Sequence, residues 1–188
     1  FQEQTGMLGA IVIEPKGRER HPIDEDHVIV LSDWTSRNPH NLLKLLKQRA
    51  DFDNYHLPDF KKLLADIAET DMKTAFDKRK MWNQMRMMPT DFTDLSGENT
   101  FTYLINGKTT AANWAQIVKA GQRVKLRFIN ASAQTIFDVR IPGLKMTVVS
   151  TDGNDVAPVA IDDFRIGVAE TYDVIVTPTK DAHTIFAQ

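Results

Sequence analysis

The sequence predicts a mainly β protein, an antiparallel β-sandwich interrupted by a helical insertion. Three observations predict it. Short β-branched and aromatic runs with period-two alternation are separated by Gly, Pro and Asn-Gly turn signals, as in all-β sandwiches. Between residues 35 and 99 the apolar period changes to the helical one, with a Pro near two of the helix starts. The hydrophobic fraction of 42% in 188 residues is enough to bury a sizeable core.

In chain order, Met7–Glu14 (MLGAIVIE) reads as one buried strand, ended by Pro15. Lys16–Asp26 (KGRERHPIDED) is charged and broken by Gly17 and Pro22, so an exposed linker is expected. His27–Ser32 is the next strand. Asn38-Pro39 predicts a helix cap and first turn, followed by Leu42, Leu43, Leu45 and Leu46. A second helix is expected from Pro58, with Phe60, Leu63, Leu64, Ile67 and Ala68 on one face. A third is expected from about Thr70 to Met88, stopping before Pro89.

Phe101–Ile105 returns to strand, and Asn106-Gly107 is a strong hairpin-turn signal. Val124, Leu126 and Phe128 alternate with Arg123, Lys125 and Arg127, which predicts one buried and one solvated face. Strands are also expected at Thr135–Ile141, Lys145–Ser150, Phe164–Val168, Tyr172–Val176 and Thr184–Ala187. Val30, Val124, Leu126, Phe128, Phe137, Val139, Val148, Val174 and Val176 are the expected core, with the helices packed as a separate group against it.

Several function classes are disfavoured. The formal net charge is -2 with both signs interspersed, so nucleic acid is not an expected partner. No apolar run is long enough for a membrane span. With no cysteine there is no disulfide, thiolate nucleophile or blue-copper centre, which needs a thiolate beside two imidazoles. No phosphate loop, nucleophile elbow or dinucleotide fingerprint is present. The chain starts at Phe1 with no secretory signal, and an internal piece of a longer protein is expected.

The candidate chemistry is sparse. Met81, Met85 and Met88 are spaced i, i+4, i+7 on one side of the third helix, with Met87 off that line. Thioethers suit Cu(I), so this stripe is the candidate metal site, against the plainer reading of core packing. His21 and His27 flank Asp24, Glu25 and Asp26, where solvated side chains on a linker are the favoured reading over a metal site. Asp162 and Asp163 are consecutive in a strand and point to opposite faces, so they make a poor acid/base pair. No catalytic or cofactor-binding residue is assigned.

Three stretches carry a resemblance. FQEQTGMLGAIVIEP, residues 1–15, is similar to the end of the first cupredoxin domain of multicopper oxidases. HVIVLSDW, residues 27–34, resembles the opening strand of their second domain, and residues 147–176 resemble that domain's signature, with an Asp-Gly turn, an apolar-Pro element and a Tyr-Asp-Val strand. MWNQMRMMPTDF (81–92) and FDVRIPGLKMTVV (137–149) resemble the copper-resistance branch.

The resemblance implies a cupredoxin-like sandwich. Residues 1–15 would be the last strand of a preceding cupredoxin domain, 16–26 a linker, and 27–188 a second domain with its insertion at about 35–99. It implies a periplasmic parent enzyme that oxidises Cu(I) or another reducing substrate at a blue copper and reduces dioxygen to water at a trinuclear cluster. In such a parent the second domain is copper-free and spaces the other two.

This sequence has no His-x-His, and none of His21, His27, His40, His56 and His183 falls on a ligand motif. No copper is therefore expected to bind tightly here, and the chain by itself is not expected to be an enzyme. Expected partners are the other cupredoxin domains of the parent, with self-association through Met7–Ile13 as a further expectation. The alternatives are a non-enzymatic copper-binding or storage module built on the Met helix, and a plain β-sandwich interaction domain.

Overall fold

The computed structural model describes residues 2, 5–14, 16–17, 19–48, 59–84, 101–179 and 181–188. The chain forms two compact units: residues 1–36 with 101–188, and residues 37–100.

The first unit is the β part. Its strands are β1 (Glu25–Trp34), β2 (Thr102–Ile105), β3 (Val124–Asn130), β4 (Phe137–Arg140), β5 (Met146–Thr151), β6 (Asn154–Ile161), β7 (Asp163–Ile166), β8 (Thr171–Val176) and β9 (Phe186–Ala187). They make a six-stranded sheet, β2-β1-β3-β8-β5-β6, and a three-stranded sheet, β7-β4-β9. Both sheets contribute to one hydrophobic core, and Phe128 of the larger meets Phe164 of the smaller edge-on at 5.3 Å between ring centres. The fold is the expected mainly β one with its helical insertion, and its pairing is antiparallel except at one place. β1 and β3 run parallel, from Glu25 opposite Val124 to Leu31 opposite Asn130. Alternation within a strand cannot reveal this, because strand direction is set by where the intervening chain returns.

Asn106-Gly107 is the predicted turn, with both residues at positive φ (49° and 73°) and Ile105 bridged to Lys108. The Asn106 side chain also accepts from the Val30 N–H at 2.7 Å and donates to the Val28 carbonyl at 3.0 Å, so it extends the β1 ladder past the end of β2. Asp152-Gly153 likewise makes the β5–β6 turn, at φ 46° and 73°.

β6 is a strand that the residue pattern conceals, because it contains Pro158. It lies at the edge of the sheet, and the ladder breaks between Val148 and Ser150 opposite this stretch. A residue with no N–H is tolerated at an edge or bulge.

Eight of the nine expected core residues are buried; Val30 is only half-buried, and Ile29 and Leu31 (both 0% exposed) fill the core from β1 instead. The run VIVL is apolar at every position, so it carries no parity signal of its own.

A polar hub joins the sheets at the end of β3. Buried Asn130 donates to the carbonyls of Thr135 (2.8 Å) and Ile166 (3.1 Å) and accepts from the Ser132 N–H at 3.0 Å. Buried Asp33 accepts from the Ala133 N–H at 2.9 Å and from the Thr135 N–H and hydroxyl at 3.2 and 2.7 Å. These bonds satisfy the backbone where the chain crosses between sheets, which burial would otherwise leave costly.

Two sequence expectations need correction here. Met7–Glu14 forms no strand in this chain and is exposed, Ile11 and Ile13 by 89% and 86%. An apolar strand needs a ladder partner, and none of the described strands pairs with it. The charged segment before β1 is not a free linker: from Glu19 to His27 every odd-numbered residue is half-buried and every even-numbered one exposed. That period of two marks an extended chain laid on a surface.

The second unit is helical: α1 (Pro39–Gln48), α2 (Phe60–Glu69) and α3 (Met72–Gln84). Its helix starts are capped by side chains, as short helices need. Asn38 accepts from the N–H groups of His40 (3.0 Å) and Asn41 (3.3 Å), Asp59 from Lys62 (2.8 Å), and Asp71 from Thr74 (2.9 Å). Arg79 of α3 donates to the Asp59 carbonyl at 2.6 Å, tying α3 to the start of α2.

Candidate functional site

Of the candidate thioethers, Met81 lies in the last turn of α3, while Met85 and Met88 lie outside the described residues. The histidines are dispersed. His27 pairs with Glu25 at 2.9 Å, and His183 bonds the Thr179 hydroxyl at 2.9 Å. His40 is exposed in the first turn of α1, the His21 Nε2 is shielded from solvent, and His56 lies outside the described residues.

The carboxylates beside His21 and His27 are already engaged. Asp24 accepts from the Arg123 N–H at 2.7 Å, and Asp26 holds Arg127 through two parallel bonds of 2.8 and 2.7 Å. Asp162 pairs with Lys145 at 2.6 Å and Asp163 begins β7, so no acid/base pair forms there. Among the described residues, no group of three His, Asp or Glu side chains is arranged to hold a metal ion.

Two features of the β unit were not legible as sites. One is a cavity of about 860 Å³ between the core and the 108–120 and 178–187 segments. Its walls include Tyr103, Trp114, Leu126, Phe137 and Ile185, with His27 and His183 as polar members.

The other is a charged cluster on the face of the large sheet that points away from the core. Lys125 is 3% exposed and pairs with Glu19 at 2.6 Å. Beside it, Arg127 bridges Asp26 (2.7 Å) and Asp173 (3.1 Å). The hydrogen bonds that Arg127 donates to the Asp26 carboxylate are the main reason its guanidinium is held more firmly protonated than usual. Burial pushes the Asp173 carboxyl above the ordinary carboxylate value; Arg127 and Lys125 oppose that, while Asp26 and Glu19 add to it. The alternation of β3 read as solvated charges. A ladder of Arg123, Lys125 and Arg127 facing a segment as acidic as DED (residues 24–26) is the signal that could have suggested a pairing.

These residues do not fit the copper centres that the resemblance implies for a whole oxidase. A blue-copper site needs a thiolate, which this sequence lacks, and a trinuclear cluster needs paired imidazoles, whereas these five are scattered along the chain.

The geometry can be set beside known proteins. Copper resistance protein A of Escherichia coli is 51% identical over all 188 residues, and that of Pseudomonas syringae pv. tomato is 48% identical over the same length. The chain spans 31% of the length of each of these relatives. Among solved structures, a blue copper oxidase from Nitrosomonas europaea superposes with a TM-score of 0.57 at 20% identity, over 94% of this chain and 42% of that one. Fet3p, a multicopper oxidase that functions in iron import, gives a TM-score of 0.57 at 19% identity, over 90% of this chain and 24% of that one. At these identities the structural likeness bears on the fold, which is the cupredoxin-like one of the multicopper oxidases. The sequence profile of the family described as Multicopper oxidase matches residues 25–188, and the chain belongs to that family.

Proposed function

We propose that this chain is the copper-free intermediate domain of a periplasmic copper-resistance multicopper oxidase. It scaffolds the domains that oxidise Cu(I) or another reducing substrate and reduce dioxygen to water. The observation that carries the reading is the 51% identity over the whole chain to a copper resistance protein of which the chain spans 31%. The absence of any cysteine or His-x-His from its sequence agrees with a domain that holds the others without ligating copper.

In this reading Phe1–Pro15 supplies the last strand of the preceding cupredoxin domain, residues 16–26 the connection, and residues 27–188 the second domain with its insertion. The apolar, unpaired state of Met7–Ile13 fits a strand whose ladder lies in that neighbour, and in the isolated chain the same strand is the route to self-association. Purified chain loaded with copper should show no intense blue thiolate band and consume no oxygen, whereas the full-length parent shows both. A blue band or oxygen uptake by the chain alone would sink the reading.

A second reading assigns Met81, Met85 and Met88 as a Cu(I) docking stripe. Met81 lies in the last turn of α3, and the i, i+4, i+7 spacing in the sequence would set Met85 and Met88 on the same side were the helix to continue past Gln84. Cu(I) titration with a competing chelator should then show at least about tenfold weaker binding in the triple Met→Leu variant. Equal affinity would return the stripe to packing.

A further inference from the structure

The segment that enters β1, together with the first residues of β1, is held down at four points by residues distant in sequence. Glu19 reaches Lys125 on β3 at 2.6 Å, and Arg20 reaches Asp155 on β6 at 3.1 Å. The Asp24 N–H donates to the Arg123 carbonyl at 2.8 Å while its carboxylate accepts the Arg123 N–H at 2.7 Å. Asp26 closes the series on Arg127. These anchors differ in worth. The Arg20 pair is open to solvent, with side chains 69% and 52% exposed, and holds little. Lys125 differs in kind, because its side chain is 4% exposed. A buried ammonium is disfavoured without a bonded counter-charge. Asp173 lies within electrostatic reach of Lys125, but the carboxylate in direct contact is Glu19, so its departure costs the ammonium its ion pair.

From these contacts we propose that residues 19–26 form an ionically clamped strap, with buried Lys125 as its positioning residue. The strap fixes the direction in which residues 5–14 leave the domain. A flexible charged linker would let a neighbouring domain swing; a strap clamped on the outer sheet face makes the connection a rigid joint. That consequence for domain placement rests on the proposed reading of residues 1–15, but the strap itself is a property of this chain.

Limited proteolysis of the whole chain tests it. The Arg20 side chain is already accessible, so trypsin cleavage after Arg20 reports release of the backbone around it rather than exposure of the side chain. Native chain should be cut after Arg20 at least about tenfold more slowly than a synthetic peptide of residues 14–27, since cleavage waits on local opening. Lys125→Met keeps the buried stem and removes the charge, and the carboxylate left behind, Glu19, has a side chain 34% exposed that water can solvate. It should bring the rate to within about threefold of the peptide's, with the thermal midpoint of the β core unchanged. Glu19→Gln should accelerate cleavage in the same direction, which keeps the test sound if Lys125→Met alters folding. The strap is overturned if native chain is cut as fast as the peptide, or if both variants are cut at the native rate. Neither measurement involves copper or the parent enzyme, so a failed strap leaves the family reading standing, and a failed copper reading leaves the strap standing.

Discussion

The β unit and the helical unit use apolar side chains differently. In the first, Phe128, Phe137, Ile29, Leu31, Met146 and Ile166 are at most 1% exposed and lie in one cluster drawn from both sheets. In the second, Phe60, Leu64, Met72 and Phe76 are 52–71% exposed, and Ala75 is the buried hydrophobic residue among those described. The helices are defined locally, by caps at Asn38, Asp59 and Asp71 and by the Arg79 bond to Asp59. The strands are defined by residues up to about a hundred positions away, as Asp33 and Thr135 are. Capping can start and stop a helix of ten residues, but such a helix is marginal in water without burial. The β unit therefore holds the buried apolar core, whereas the described residues of the insertion leave apolar side chains exposed.

Core truncation should break this comparison most sharply. Phe128→Ala removes a fully buried ring and should cost about 3–5 kcal/mol, read as a lowered denaturation midpoint. Phe60→Ala on the exposed face of α2 should stay within about 0.5 kcal/mol. Comparable losses would mean that the two units share one stability.

The polar hub comes next. Asn130→Asp replaces the amide that donates to the Thr135 and Ile166 carbonyls, and should cost about 1–3 kcal/mol at neutral pH. A neutral result by chemical denaturation would show that the sheet crossings do not depend on it.

Within the helical unit, Asp59→Ala removes the α2 cap. It should cost about 1 kcal/mol of local helix stability, seen as faster amide exchange in residues 60–69 with the β core unaffected.

The smallest effect is electrostatic and has a definite sign. Burial raises the folded-state pKa of Asp173, so its protonated form is favoured by folding. Its contribution is fully present below the unfolded value of about 3.9 and is lost as pH rises through the folded value. The stability of native chain relative to Asp173→Asn should therefore fall as pH is raised from about 3 to 6, by about 1 kcal/mol or less. Paired denaturation curves at several pH values check the slope, and an opposite slope would mean that the pull of Arg127 outweighs burial.

Much of the architecture was legible because its signals are local. Asn38-Pro39 starts α1, Asn106-Gly107 makes the predicted turn, and Val124, Leu126 and Phe128 point into the core as their alternation required. What escaped notice was decided by neighbours. β6 was hidden by Pro158, which is harmless only because the strand is an edge. Lys125 read as solvated until Glu19 was found across it. The exposed state of Met7–Glu14 could not be read from a sequence that is apolar on both faces.

The sequence by itself determined the class of fold, the helical insertion, the family, and the lack of thiolate and paired-imidazole ligands, since periodicity, turn chemistry and residue inventory are local properties of the chain. Only the tertiary structure decided the parallel β1–β3 pair, the parity of β1, the hub at Asn130 and the clamped strap over Lys125. Each depends on which distant backbone or charge arrives alongside, and no spacing within a strand encodes that.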